Sequence, residues 1–124
     1  MKFVPSRRAG AALVVSAVAG GLLVSSAASG AATLRLGSER QGVKFTKSRL
    51  SAPAGRVTIV LRVPRRSQFP HAVAIRGNGV NRSSGVIRRG TTRVSVRLRR
   101  GRYTFFCPVG EHAENGMRGR LRIR

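Results

Sequence analysis

One stretch near the C-terminus, CPVGEHAENGM, gathers Cys107, His112 and Met117 into eleven residues. Cys107 is the single cysteine of the chain, His112 one of two histidines, and Met117 the only methionine besides Met1. Sulfur ligands select soft ions such as Cu(I), and imidazole suits several transition metals. Four residues separate Cys107 from His112 and four more separate His112 from Met117. Gly110 and Gly116 let the backbone turn so that the three side chains can converge. Taken singly, a free cysteine is commonly a small buried hydrophobe and a methionine commonly core filler. It is their joint spacing in one loop that makes a candidate site.

A fourth donor completes the set. His71 stands in FPHAVAIRG, at the start of a stretch whose alternation places His71, Val73 and Ile75 on one face. A histidine on an apolar strand face is usually a hydrogen-bonded core residue. Here it is also the only other imidazole in the chain. Two imidazoles, a thiolate and a weak thioether form the trigonal set of electron-transfer copper. Zinc could occupy His71, Cys107 and His112 tetrahedrally, but it has no use for a distant thioether, so Met117 discriminates for copper.

The elements that must position these residues are strands. RVTIVLRV puts Val57, Ile59, Leu61 and Val63 on one face, and TRVSVRLRR puts Val94, Val96 and Leu98 on another. GRLRIR repeats the pattern with Leu121 and Ile123, and shorter candidates are TLRLG, VKFT, HAVAIRG and RYTFFC. Tyr103, Phe105 and Cys107 share a face, so Cys107 points inward where that strand opens into the loop. Short strands separated by SAPAG, RGNG and RRG predict an all-β Greek-key β-sandwich. LRRGRY, Leu98 to Tyr103, resembles a tyrosine corner, in which the phenol bonds back to upstream backbone; a plain tight turn fits it too.

Composition bounds what such a domain is for. Met1 to Arg8 is basic, and AGAALVVSAVAGGLLVSSAASGAA passes from apolar to small residues, the order of an export signal. Residues 1–32 are therefore expected to be a signal peptide cleaved near Gly30 to Ala32, with a retained N-terminal anchor as the alternative, and residues 33–124 the domain. Such a protein works outside the cytoplasm, as an extracellular, periplasmic or envelope-associated species. One cysteine cannot form an internal disulfide, so a bound metal is the available staple for so small a core. The chain carries 25 Lys+Arg against 3 Asp+Glu; without Lys2, Arg7 and Arg8 the domain has 22 against 3, a net of +19. This surface attracts polyanions, either anionic envelope polymers or a membrane surface, unless the arginines are simply solvated strand faces. Two of the three acidic residues, Glu111 and Glu114, flank His112.

The chain resembles the blue copper proteins of the cupredoxin superfamily, in particular small plastocyanin-like exported bacterial domains. The resemblance rests on VKFTKSRLSAPAGRVTIVLRV, FPHAVAIRGNG and LRRGRYTFFCPVGEHAENGMRGRLRI, and most specifically on an upstream Pro-His paired with Cys-x4-His-x4-Met. It implies one type 1 copper ion with His71, Cys107 and His112 as equatorial ligands and Met117 as the weak axial one. It also implies that His112 sits at the surface inside an apolar collar, for which Pro70, Val109, Gly110 and Ala113 are candidates. Two departures stand out: Ala72 follows the first histidine where relatives often have asparagine, and GEH replaces PGH, with the proline moved to Pro108. The Ala72 and Val109 N–H groups are then possible donors to the Cys107 sulfur, which would tune the metal.

The expected role is a monomeric electron carrier cycling between Cu(II) and Cu(I) and docking transiently with a redox partner protein. An enzyme is not expected, since no Ser/His/Asp set, paired carboxylates or phosphate loop is present, and RGNG is a turn signal. A copper carrier or chaperone could use the same ligands, and a polyanion-binding sandwich would use only the charge. Specific nucleic-acid recognition is not expected from a domain with no Trp and one Tyr.

Overall fold

The computed structural model describes Lys2 and residues 30–124. The expected leader lies outside them apart from Lys2 and its C-terminal end. Eight strands follow in order: β1 (Ala32–Gly37), β2 (Arg49–Ala52), β3 (Gly55–Val63), β4 (Ala74–Gly77), β5 (Val80–Ser83), β6 (Gly90–Leu98), β7 (Gly101–Phe106) and β8 (Arg118–Ile123). They form a three-stranded sheet, β1-β3-β6, and a five-stranded sheet, β2-β8-β7-β4-β5. The result is the all-β two-layer sandwich that the alternation predicts. The chain changes sheet at five of its seven connections. Only the β4–β5 turn and the β7–β8 loop stay within one sheet, and the latter is the Cys107 to Met117 loop.

Alternation explains the strongest elements. In β3, Val57, Ile59, Leu61 and Val63 are at most 1% exposed, while Arg56 and Arg62 face water. Burying each such side chain contributes about 1.5–3 kcal/mol. β3 is held antiparallel to β6 over nine residue pairs, from Gly55↔Leu98 to Val63↔Gly90, which brings Val94 and Leu98 to the same core. Leu121 and Ile123 of β8 and Tyr103 and Phe105 of β7 supply the opposite layer. The β4–β5 hairpin closes on Asn78-Gly79 with φ of 47° and 79°, the two positive values that a type I′ turn needs.

The tyrosine corner is present: Tyr103 Oη donates to the Arg99 carbonyl at 2.8 Å, and the ring is buried. This fixes the start of β7, the strand that ends at Cys107.

Several expectations are corrected. VKFT is not a strand; it contributes only the isolated bridge Ser38↔Phe45. Phe45 is nonetheless buried, its ring centroid 5.6 Å from that of Phe105, so it serves as a plug between the sheets. HAVAIRG becomes a strand only from Ala74, and His71 makes an isolated bridge to Ile87 instead. The expected alternation also fails there, because Ala72 and Ala74 are as buried as His71, Val73 and Ile75. In β6, Val96 is only half-buried. Two strands lacked a sequence signal: β2 has only Leu50 and Ala52 to alternate, and β5, VNRS, is a largely exposed sheet edge.

Candidate metal centre

Cys107 follows β7 directly, and β7 is clamped between β4 and β8, so its sulfur is delivered from the most constrained part of the five-stranded sheet. The loop after it folds on itself. His112 N–H donates to Val109 O at 3.1 Å, Gly116 N–H to Ala113 O at 3.1 Å, and Met117 N–H to His112 O at 2.9 Å. Cys107 N–H donates to Met117 O at 3.0 Å and closes the loop. The Met117 backbone is thus bonded to both Cys107 and His112, and its side chain is fully buried. His71 comes from the segment that leads into β4, the neighbour of β7 in the same sheet, and is fixed by reciprocal backbone bonds with Ile87, both 2.9 Å.

These constraints bring three of the four expected donors to one point. Ligand atoms of His71, Cys107 and His112 all lie within 4.8 Å of one another. Cys107 Sγ is 4.0 Å from His71 Nδ1 and 3.5 Å from His112 Nδ1. The two imidazole centroids are 5.1 Å apart. An ion about 2.0–2.1 Å from nitrogen and about 2.3 Å from sulfur, with trigonal angles, sets N and S about 3.8 Å apart. The observed separations straddle that value, so the donor set fits a metal. The ordinary explanation for a buried histidine fails here. His71 is 0% exposed, its Nε2 has no hydrogen-bond partner, and its Nδ1 faces only sulfur. A buried polar atom without a partner is costly, and this imidazole has no oxygen partner on either nitrogen: Nε2 has none at all, while Nδ1 is turned to the thiol, with the second imidazole beside the ring.

No family model and no curated protein matches the chain. Solved structures do match. Auracyanin A, a "blue" copper protein from the green thermophilic photosynthetic bacterium Chloroflexus aurantiacus, is similar with a TM-score of 0.64 at 20% identity, over 77% of this chain and 100% of its own. The azurin Az-iso2 of the obligate methylotroph Methylomonas sp. strain J matches with a TM-score of 0.60 at 16% identity, over 75% of this chain and 98% of its own. Rusticyanin from Thiobacillus ferrooxidans matches with a TM-score of 0.60 at 16% identity, over 76% and 77%. The fold is that of the cupredoxins.

In this cupredoxin sandwich the segment around Ala72 is tied down without an asparagine. Val73 N–H donates to Ser84 Oγ and Ser84 N–H to Val73 O, both at 2.9 Å, close in sequence to the His71–Ile87 pair. These four bonds fasten the histidine segment to residues 84–87. The suggested donors to sulfur are not in place: the only hydrogen-bond partners of Cys107 Sγ among the described residues are the two imidazoles. The residues expected to form the collar vary in burial, and one further apolar residue reaches His112. Pro70, Val109 and Ala113 are half-buried and Gly110 is exposed. Phe69 is the addition, 41% exposed and edge-on to the His112 ring at 5.7 Å. It precedes Pro-His directly, and its aromatic type beside that motif was the available signal. Glu111 and Glu114 are exposed on either side of His112.

Burial, and then the charge of nearby His112, lower the pKa of His71 from 6.5 to about 4. The unfolded chain therefore binds a proton at this site across a window where the folded one does not. Stability of the metal-free chain is expected to be fully present above pH 6.5 and to fall progressively as the pH drops toward 4. Urea midpoints measured between pH 4 and 8 check this; in His71→Asn, which cannot titrate, the decline over that window should be shallower. An identical decline in both chains would contradict the assignment.

Proposed function

We infer that the chain carries single electrons on one type 1 copper ion, which His71, Cys107 and His112 would hold, with Met117 as a fourth, weaker donor. The observation that carries this reading is the meeting of ligand atoms from two imidazoles and one thiol within 4.8 Å, with the His71 ring lacking any oxygen partner. When bound, copper supplies reversible one-electron exchange between its Cu(II) and Cu(I) states. The protein's part is to hold the donors still and dry. Cys107, His71 and Met117 are fully buried, which excludes water from the sulfur side. The hydrogen bonds that close residues 107–117 keep the donors in one geometry, so little rearrangement accompanies a change of charge. Half-buried His112, edge-on to exposed Phe69, provides the route from the centre to the surface.

A redox partner protein is proposed to dock on the collar of Phe69, Pro70, Val109, Gly110 and Ala113, with Glu111 and Glu114 orienting it. Residues 1–32 are proposed as the export signal and residues 33–124 as the working domain, placing it outside the cytoplasm. Burial of three of the four donors disfavours a copper carrier, which needs access for exchange. Voltammetry of the copper-loaded chain tests the choice. A reversible one-electron wave that persists over many cycles beside a Cu(I) chelator is expected. Transfer of the metal to the chelator on first reduction would instead make the chain a carrier.

A further inference from the structure

Electron transfer does not require the outer face of the five-stranded sheet to be built of arginine, yet it is. Along β8, Leu121 and Ile123 point into the core, and Arg118, Arg120 and Arg122 point out. Arg49 of β2 lies opposite Arg120, and Arg102 of β7 opposite Arg122. Thr104 lies between Arg120 on one side and Arg76 of β4 on the other. All six guanidinium groups belong to exposed residues. None has an ion-pair or hydrogen-bond partner among the described residues, and Arg76 merely stacks on Phe106 at 4.9 Å. Neighbouring strands are about 4.8 Å apart, and like charges placed opposite each other across them destabilise a sheet. The fold tolerates this repulsion on a face where serine or threonine would serve the strands as well.

The face is also concave. Two cavities of about 730 Å³ and about 850 Å³ share Arg49, Arg76, Thr104 and Arg120. Together they make one trough, from the loop at Pro108 to Glu114 down to Arg102 and Arg122. We propose that this trough is a docking site for a linear phosphodiester polymer lacking bases, of the poly(glycerol phosphate) type. The arginine-lined body of the trough selects that occupant, Glu114 being the acidic residue at its loop end. Arginine forms paired hydrogen bonds to phosphate oxygens, and 22 of the 25 basic residues of the chain are arginine. Alternate residues of β8 set cations about 6.6 Å apart along a line, which suits a chain of repeating charges. A trough receives a thread better than a flat bilayer, and the exposed large hydrophobics, Phe69 and Val86, lie outside it, so nothing in it inserts into lipid. Phe106 is the one outward aromatic in the trough and is already covered by Arg76, so there is no stacking platform for bases.

The test uses the full chain, labelled poly(glycerol phosphate) and fluorescence anisotropy across a salt series. Two charge-matched variants are compared: Arg49→Gln/Arg76→Gln/Arg120→Gln in the trough, and Arg35→Gln/Arg62→Gln/Arg93→Gln in the basic groove of the three-stranded sheet. The first should weaken binding at least tenfold and reduce the slope of log K against log salt by about 2, at about 0.7 per phosphate contact. The second should stay within about twofold of the parent chain, a bound set by salt-screened distant charge. Equal losses in both variants, or a larger loss in the second, would overturn the site. So would absence of binding at about 100 mM salt, or tighter binding to anionic vesicles or single-stranded DNA than to the polymer. Thermal melts of both variants identify any loss that comes from unfolding, and Arg102→Gln/Arg122→Gln then repeats the trough arm.

Discussion

Truncation of Phe105 to alanine is expected to cost about 3–5 kcal/mol of folding stability. A domain of this size has roughly 5–14 kcal/mol in all, from about 0.05–0.15 kcal/mol per residue. The ring is 0% exposed and tilted by 48° against Phe45, the loop aromatic that plugs the space between the layers. It also lies over Gly119, where any Cβ would collide with it, which is why β8 carries glycine at that register position. No neighbour can move in to fill the space, because β7 is held on both sides by β4 and β8. Phe105 stands two residues before Cys107, so loss of the ring should loosen the donor loop as well. Urea unfolding gives the measurement, with Phe69→Ala as the matched control. Phe69 is 41% exposed, and its truncation should change stability by about 0.5 kcal/mol or less. Equal costs for the two would mean that Phe105 is not the packing centre described.

Copper loading is expected to raise the melting temperature by about 10–20 °C. A ligand at a hundred times its Kd adds about 2.7 kcal/mol, and each kcal/mol shifts Tm by about 4–8 °C in a domain of 60–100 residues. The gain has a structural source. The donors come from the His71 segment and from the β7–β8 loop, so one bound ion links two regions otherwise joined through packing and backbone bonds. In His71→Ala most of the gain should vanish, since the link is cut. In Met117→Leu most of it should remain, because a thioether is a weak donor beside a thiolate and two imidazoles. Calorimetry with and without copper on the three chains checks the order. A full gain in His71→Ala would place the metal somewhere other than between these residues.

What the sequence disclosed follows from how strongly each residue is committed. β3 was legible because four β-branched or aliphatic residues alternate with Arg56, Thr58 and Arg62 over a long strand. The Cys107 loop was legible because cysteine, histidine and methionine are rare in this chain, so their clustering stands out. Convergence of His71 with that loop needed chemistry rather than periodicity. Its backbone is no regular strand, and the stretch from His71 to Ile75 is buried on both sides, which erases alternation. β5 was hidden because an edge strand with one neighbour has little to bury. VKFT misled because Phe45 is buried by a loop that dips between the sheets, and a buried aromatic in a loop has the same local pattern as one in a strand. Phe69 was missed because contact with His112 depends on how two distant segments meet.

The most direct test of the central claim is the visible absorption spectrum of the chain titrated with Cu(II), beside Cys107→Ser. The account predicts an intense blue thiolate-to-copper band that saturates at one ion per chain, bleaches and returns on reduction and reoxidation, and is absent from the serine variant. A colourless or pale complex, or a band that survives Cys107→Ser, would contradict it: the thiol and the two imidazoles would not be holding the metal together.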